Sequence, residues 1–238
     1  MRQLHLHHDG IQIRNLLFRM FVENEFAEIS EVKVLEAGCG RKWALRDARV
    51  NFNITGIDLD KQAYEIRRKQ FNDIDAFYHM SLEDLDHKET YDFVYCVDVL
   101  EHCYNVEKIL KNVVHSLKDN GTAIIAFPNK NSIFGRVTYH TPHLFHVLFY
   151  RWIFGKKSAG KNGFGPYPVV YESILKPKNF EMFLSENNLE IIYKITRKFD
   201  YRRLSFLKYI YLLVESAVSV ISPKPAHAGL IYVLRKRL

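Results

Sequence analysis

The stretch Val34 to Gly40, V-L-E-A-G-C-G, constrains this chain more than any other. Apolar residues suited to a buried parallel strand run into the acid Glu36 and then into two glycines one residue apart. A strand ending in Gly-x-Gly can turn sharply, because glycine accepts positive φ and carries no Cβ to obstruct a ligand. Such a turn offers backbone N–H groups to a molecule lying across the strand tips. A dinucleotide fingerprint would need a third glycine three residues after the second, and Trp43 stands there. The acid at Glu36 also suits a cationic or amino-bearing ligand better than a pyrophosphate.

Two further acidic strand ends follow. Ile54 to Asp60, I-T-G-I-D-L-D, reads as an apolar strand reaching Asp58. Asp58 lies about 20 residues past the loop, the distance at which a carboxylate grips ribose hydroxyls. Tyr91 to His102, Y-D-F-V-Y-C-V-D-V-L-E-H, is a third hydrophobic strand with polar residues at its tip. S-adenosylmethionine, with an amino acid end, a sulfonium and a ribose, matches such a set of groups. In these motifs, across about 32–129, the chain resembles the class I S-adenosylmethionine-dependent methyltransferases. The resemblance implies cofactor contacts from Glu36, Ala37, Gly38, Cys39 and Gly40, then from Asp58 and Leu59. It extends them to Ser81, Leu82 and Glu83 beside adenine, where Ser81 holds the place of the family's acid. The third tip would add Cys96, Val97 and Asp98. Lys42 replaces a glycine common in the family loop, so Arg41 or Lys42 either meets the methionine carboxylate or points to water.

The order of elements predicts an α/β fold: a doubly wound, mostly parallel, seven-stranded Rossmann-like sheet with the ligand at its carboxyl ends. Helical period appears in Ile11 to Ile29, packing on the sheet edge or lidding the cofactor, and again in Val106 to Leu117. Arg41 to Val50 is expected as a short helix facing the cofactor, and Lys61 to Phe71 as a charged one. Ser81 also reads as a helix N-cap. By the family's pattern, Leu189 to Thr196 and Gly229 to Leu234 form an antiparallel hairpin. The chain thus reads as one domain, 1–238. An N-terminal helical segment, 1–31, precedes a cofactor core, 32–129. A helical acceptor-side cap, 130–176, is followed by the C-terminal helix and hairpin, 177–238, with an apolar helical insertion, 202–222.

The cap is rich in aromatic residues and histidine, followed by a Gly/Pro/Lys loop from Gly155 to Pro168, and such walls suit an apolar or ring-bearing acceptor. Methyl transfer from a sulfonium is an in-line displacement, and an oxygen acceptor also needs its proton removed. Asp98-Val99-Leu100-Glu101-His102 resembles the E-x-x-E-H of ubiquinone-pathway O-methyltransferases and of small-RNA ribose 2′-O-methyltransferases, with Asp98 in place of the first glutamate. The resemblance leaves two roles open for Asp98, Glu101 and His102: holding a divalent metal, or, without metal, ordering the cofactor loop. The reading here favours no metal. For the general base His102 ranks first, with Glu101 beside it, then His140, His143 and His146. His5, His7, His8 and Asp9 are expected on a solvated terminus.

A hydrophobic fraction of 47% with 26% charged residues describes a globular chain. Its three cysteines, Cys39, Cys96 and Cys103, fit free thiols in a reducing cytosol, and the first residues lack a signal peptide's apolar core. Net charge is +7, with small clusters at Arg67–Lys69, Lys156–Lys161 and Arg235–Arg237 that read as solvated surface. The expected activity is O-methylation of a small-molecule, glycan-linked or lipid-linked acceptor. RNA ribose methylation is the competitor, but no RNA-binding module accompanies it. A cofactor-binding, inactive regulatory partner is the other. The expected location is cytoplasmic, with 202–222 packing internally, dimerising, or touching the inner face of a membrane.

Overall fold

A computed structural model describes residues 2–6, 10–161, 163–197, 209, 216 and 227–238. The strands are β1 (Arg2–Leu6), β2 (Val32–Ala37), β3 (Phe52–Ile57), β4 (Ala76–Tyr78), β5 (Tyr91–Val97), β6 (Leu117–Pro128), β7 (Leu189–Arg197) and β8 (Gly229–Lys236). The helices are α1 (Gly10–Glu25), α2 (Lys61–Gln70), α3 (Val106–Ser116), α4 (Ile133–His140), α5 (His143–Trp152) and α6 (Pro177–Glu186). The sheet runs β1-β7-β8-β6-β5-β2-β3-β4. The strands β5, β2, β3 and β4 are parallel to their neighbours, and β8 lies antiparallel between β6 and β7. This is the doubly wound, mostly parallel sheet with an antiparallel C-terminal segment that the sequence predicts.

The alternation of side chains explains why both faces are covered. In β2, Val32 and Val34 enter one apolar cluster while Leu35 and Ala37 enter the other. In β5, Phe93 and Tyr95 oppose Val94 and Cys96 in the same way. One face carries α1 through Phe18, Val22 and Phe26, and the other carries α3 and α6 through Ile109, Leu110, Val113, Phe180 and Phe183. A strand apolar on both faces must be buried on both, which fixes the layering. The carboxyl ends of β2, β3 and β5 therefore meet along one rim.

Among the described residues the sheet has eight strands where seven were expected. R-Q-L-H-L at residues 2–6 forms β1, parallel to β7 from Arg2 opposite Tyr193 to Leu6 opposite Arg197. The added strand pairs an edge that β7 would otherwise expose. His5 therefore belongs to a strand and not to a solvated tail, while His7, His8 and Asp9 lie outside the described residues. Arg41 to Val50 form turns and not a helix. Trp43 and Leu45 are both buried beneath α1, and a spacing of two cannot keep both on one face of a helix. Of the apolar stretch 202–222 only 209 and 216 are described, so the expectations for it lie outside the described residues. Among the described residues no helix is long and apolar enough to cross a membrane.

Candidate functional site at the strand tips

Gly38 and Gly40 adopt φ of +75° and +51° at the end of β2. A Cβ on Gly38 would stand 2.3 Å from Val99 Cγ2, so the loop and the β5 tip fit only around a glycine. A Cβ on Gly40 would meet nothing within 4 Å, so its face opens onto free space. The loop N–H groups are engaged within the protein, contrary to the expectation that they face a ligand. Gly38 and Cys39 donate to Ile57 O at 2.8 and 3.2 Å, and Gly40 donates to Asp58 Oδ2 at 2.8 Å. Asp58 Oδ1 accepts from the Asp60 N–H, also at 2.8 Å. Each Asp58 oxygen keeps lone-pair capacity for a hydroxyl, since a carboxylate accepts about four hydrogen bonds. Burial pushes the Asp58 carboxyl up, and the N–H groups of Asp60 and Gly40 pull it back.

Glu36 does not open onto the cleft. It is only 3% exposed, and its Oε2 lies 2.7 Å from Arg67 Nη1. Arg67 is wholly buried and also donates to Asp73 Oδ1 at 2.7 Å and to Cys39 O at 2.8 Å. Burial pushes the Glu36 carboxyl up to about 8, against the opposing pull of Arg67. The acid of the glycine loop thus acts as an internal anchor: through Arg67 it ties β2, α2 and the loop backbone into one unit. Arg67 was read as part of a surface charge cluster. Two signals pointed inward, its place one turn after the buried Ala63 and the need of a buried strand carboxylate for a partner.

The remaining expected cofactor residues divide by exposure. Ala37, Cys39, Cys96 and Leu82 bury their side chains, leaving backbone to face a ligand, while Leu59 is exposed beyond the β3 tip. Ser81 caps a short 3-10 turn, Leu82–Asp84, its Oγ accepting from Glu83 N at 3.2 Å. Glu83 accepts from Asn105 Nδ2 at 2.8 Å. Val97 and Asp98 end β5, and Asp98 has φ of +58°. Sequence reading missed Arg14 on α1, which is buried and sets its Nη1 2.9 Å from Asp98 Oδ2. Helix α1 therefore packs over the face of the sheet while latching the β5 tip.

His102 is the histidine best set up to take a proton. Its Nδ1 stands 2.7 Å from Pro168 O, a carbonyl that can only accept, so Nδ1 carries the hydrogen and Nε2 the lone pair. Burial lowers its pKa below the ordinary imidazole value, against the Pro168 bond and Asp98. Glu101 Oε1 lies 3.8 Å from Nε2, too far for a hydrogen bond. Glu101 is buried with Oε2 unpartnered, and burial, then Asp98, push its carboxyl well up. His143 lines the adjoining cleft, whereas His140 is exposed and stands edge-on to Tyr139. His146 is partly buried beside His143.

The donor set does not suit a metal. Asp98 is turned to Arg14, Glu101 is 3% exposed, and His102 offers only Nε2. Among the described residues no group of three or more His, Cys, Asp or Glu stands together as metal ligands do.

The segment from 160 to 171 lies across this rim. Tyr167 donates to Asp60 Oδ2 at 2.7 Å, the Arg41 guanidinium sits 4.0 Å over the Phe164 ring, and Val170 N–H donates to Glu101 O at 2.8 Å. Arg41 is thus committed to the strap. Between the strap and the β3 tip lies a cavity of about 550 Å³, lined by Leu59, Asp60, Lys61, His143, Phe164 and Tyr167 among others. That volume is in the range of small-molecule sites.

The sequence profile of a methyltransferase domain family matches residues 11–192. The chain is 29% identical over 174 residues to the ubiquinone biosynthesis O-methyltransferase of Rickettsia typhi, covering 71% of this chain and 65% of that relative. Its fold is similar to that of the [4+2]-cyclase SpnF, with a TM-score of 0.58 at 16% identity, covering 95% of this chain and 82% of the other. It is also similar to an S-adenosylmethionine-dependent methyltransferase from Methanosarcina mazei, with a TM-score of 0.56 at 16% identity, covering 88% and 94%. At such identities the structural likenesses speak for the fold alone.

Proposed function

The chain belongs to the class I S-adenosylmethionine-dependent methyltransferases, and from that premise we propose that it methylates an oxygen of a small, ring-bearing or lipid-linked acceptor, with His102 as general base. The observation that carries this reading is the fixed tautomer of His102, which leaves Nε2 unprotonated at neutral pH beside the strand-tip cleft. The likeness to an O-methyltransferase of ubiquinone biosynthesis supports oxygen as the acceptor atom and a ring as its carrier.

The residues fit the cofactor. The open face of Gly40 gives space at the loop, and Asp58 keeps capacity for ribose hydroxyls. By the family's pattern the exposed Leu59 and the backbone of the buried Leu82 would meet adenine. Arg14, on the Asp98 carboxylate, is the cation available to a methionine carboxylate at the β5 tip. When bound, the cofactor supplies an electrophilic methyl on a sulfonium.

The protein's part is then positioning and proton removal. The cap and strap hold the acceptor hydroxyl against His102 Nε2 and exclude water, so that attack is in line. The bound cofactor would supply the methyl group by cleavage of its sulfur–methyl bond, and as the acceptor's oxygen–carbon bond formed His102 Nε2 would take the hydroxyl proton, giving an imidazolium. The site's net charge is unchanged across the step, and no new charge has to be solvated in the cleft.

A donor labelled in its methyl group, incubated with a set of catechols and prenylated phenols, tests the proposal. Transfer to a phenolic oxygen, undiminished by exhaustive chelation, is the expected result. Loss of activity on chelation with rescue by a divalent cation would overturn the metal-free mechanism. Transfer to RNA and to none of the phenols would overturn the acceptor class.

A further inference from the structure

We infer that the outward face of α5, with the basic loop folded against its end, docks on an anionic phospholipid bilayer. Leu144, Phe145 and Trp152 are 65%, 58% and 79% exposed and fall with the half-buried Leu148 on one side of the helix. Four such residues within about 100° of arc form an apolar stripe. The inward side is spoken for: Val147 is buried, and a Cβ on Gly160 would stand 2.8 Å from its methyls. The loop that packs there is pinned to the helix, with Arg151 Nε donating to Ala159 O at 2.9 Å and Lys156 N to Tyr150 O at 3.0 Å.

Charge selects the occupant. From Asn120 to Tyr171 there is no acidic residue, in a chain with 27 among 238, while Lys130, Arg136, Arg151, Lys156, Lys157 and Lys161 fall in that stretch. Arg136, Lys156 and Lys157 are exposed, and Lys156 Nζ lies 4.9 Å from the centroid of the Tyr150 ring on α5. An apolar helix face in a stretch of chain that carries cations and no acid matches an interface that is apolar below and negative at its surface. A nucleic acid would gain from the cations alone and leave Leu144, Phe145 and Leu148 without a partner. The surface is separate from the strand-tip cleft, so the inference does not rest on the methyl-transfer reading.

Trp152 supplies a direct probe, because the other tryptophan, Trp43, is 5% exposed in the core and contributes a constant background. The full chain is mixed with vesicles of phosphatidylcholine alone, or with phosphatidylglycerol in equal parts, and followed by flotation and tryptophan emission. The expected result is flotation and a blue shift with the anionic vesicles, weakened by salt, and little of either with phosphatidylcholine alone. Phe145→Ser with Trp152→Ser should abolish flotation, and Lys156→Glu with Lys157→Glu should weaken it on the order of ten-fold or more. All four positions are exposed, and circular dichroism checks that the variants stay folded. Absence of flotation with anionic vesicles would overturn the inference, as would flotation that Trp152 and Phe145 substitution leaves intact. Retention on single-stranded RNA without vesicle binding, or a dimer that Trp152→Ser dissociates without vesicle binding, would assign the face elsewhere.

Discussion

Arg67→Met is expected to remove about 3–5 kcal/mol of stability, the cost of leaving a buried charge partner unpaired. At about 2–4 °C per kcal/mol for a chain of this size, that is a fall in Tm of roughly 6–20 °C. Arg67 is the only partner within 2.7 Å given to Glu36 among the described contacts, and it also holds the Cys39 carbonyl of the glycine loop. The methylene stem of arginine is replaced well enough by methionine, so lost packing contributes little and the unpaired acceptors dominate. Asp73 is on the rim of the network and can be reached by water once its partner is gone. Adding Glu36→Gln to Arg67→Met should therefore recover part of the loss, because the amide removes the ionisable group that Arg67 leaves unpaired. Thermal unfolding of the wild type, both single variants and the double variant closes the cycle. A loss under about 1 kcal/mol in Arg67→Met would remove the anchoring role assigned to this pair.

His102→Ala is expected to lower kcat by about 10²–10⁴, the range for losing a positioned general base. Cofactor affinity should change little, since the proposed mechanism has the imidazole act on the acceptor and the β2 and β3 tips hold the cofactor. The pH profile distinguishes this from a structural loss. The working form is the neutral imidazole, and burial lowers its pKa. The wild-type rate should therefore be level through neutral pH and fall only on the acid side, below the ordinary imidazole range near about 6.5. That acid limb should vanish in the variant. A variant within a few-fold of wild type, or one with the same acid limb, would reassign the proton to another group, with His143 next in line on the same cleft.

Much of the scaffold was legible because it is written locally. The glycine pair after an apolar strand, the acid at Asp58, and the regular alternation of strand and helix each sit within a short window. They were enough to give the sheet and the rim where its parallel strand tips meet. What escaped depends on partners far off in sequence. The strand β1 exists because β7, whose paired residues lie 191 positions away, offers an unpaired edge. Arg14 is explained by Asp98, 84 residues on, and Arg67 by Glu36, 31 residues back. The same distance effect turned Glu36 from a ligand contact into an anchor. The turns of 41–50 were misread as a helix because Trp43 and Leu45 answer to the packing under α1 and not to local propensity. The strap falls largely on the Gly/Pro/Lys loop that the composition marks, but its closure onto Asp60 and His102 is not written in any motif.

The proposed function puts an adenosyl amino acid across the tips of β2, β3 and β5, with its reactive carbon toward His102. A crystal structure with S-adenosylhomocysteine bound tests it most directly. The account predicts the ribose hydroxyls on Asp58, the amino acid end over Gly40, and the sulfur turned toward the cavity beside His102 Nε2. A ligand bound away from Asp58 and Gly40, or with its sulfur facing away from His102, would contradict it.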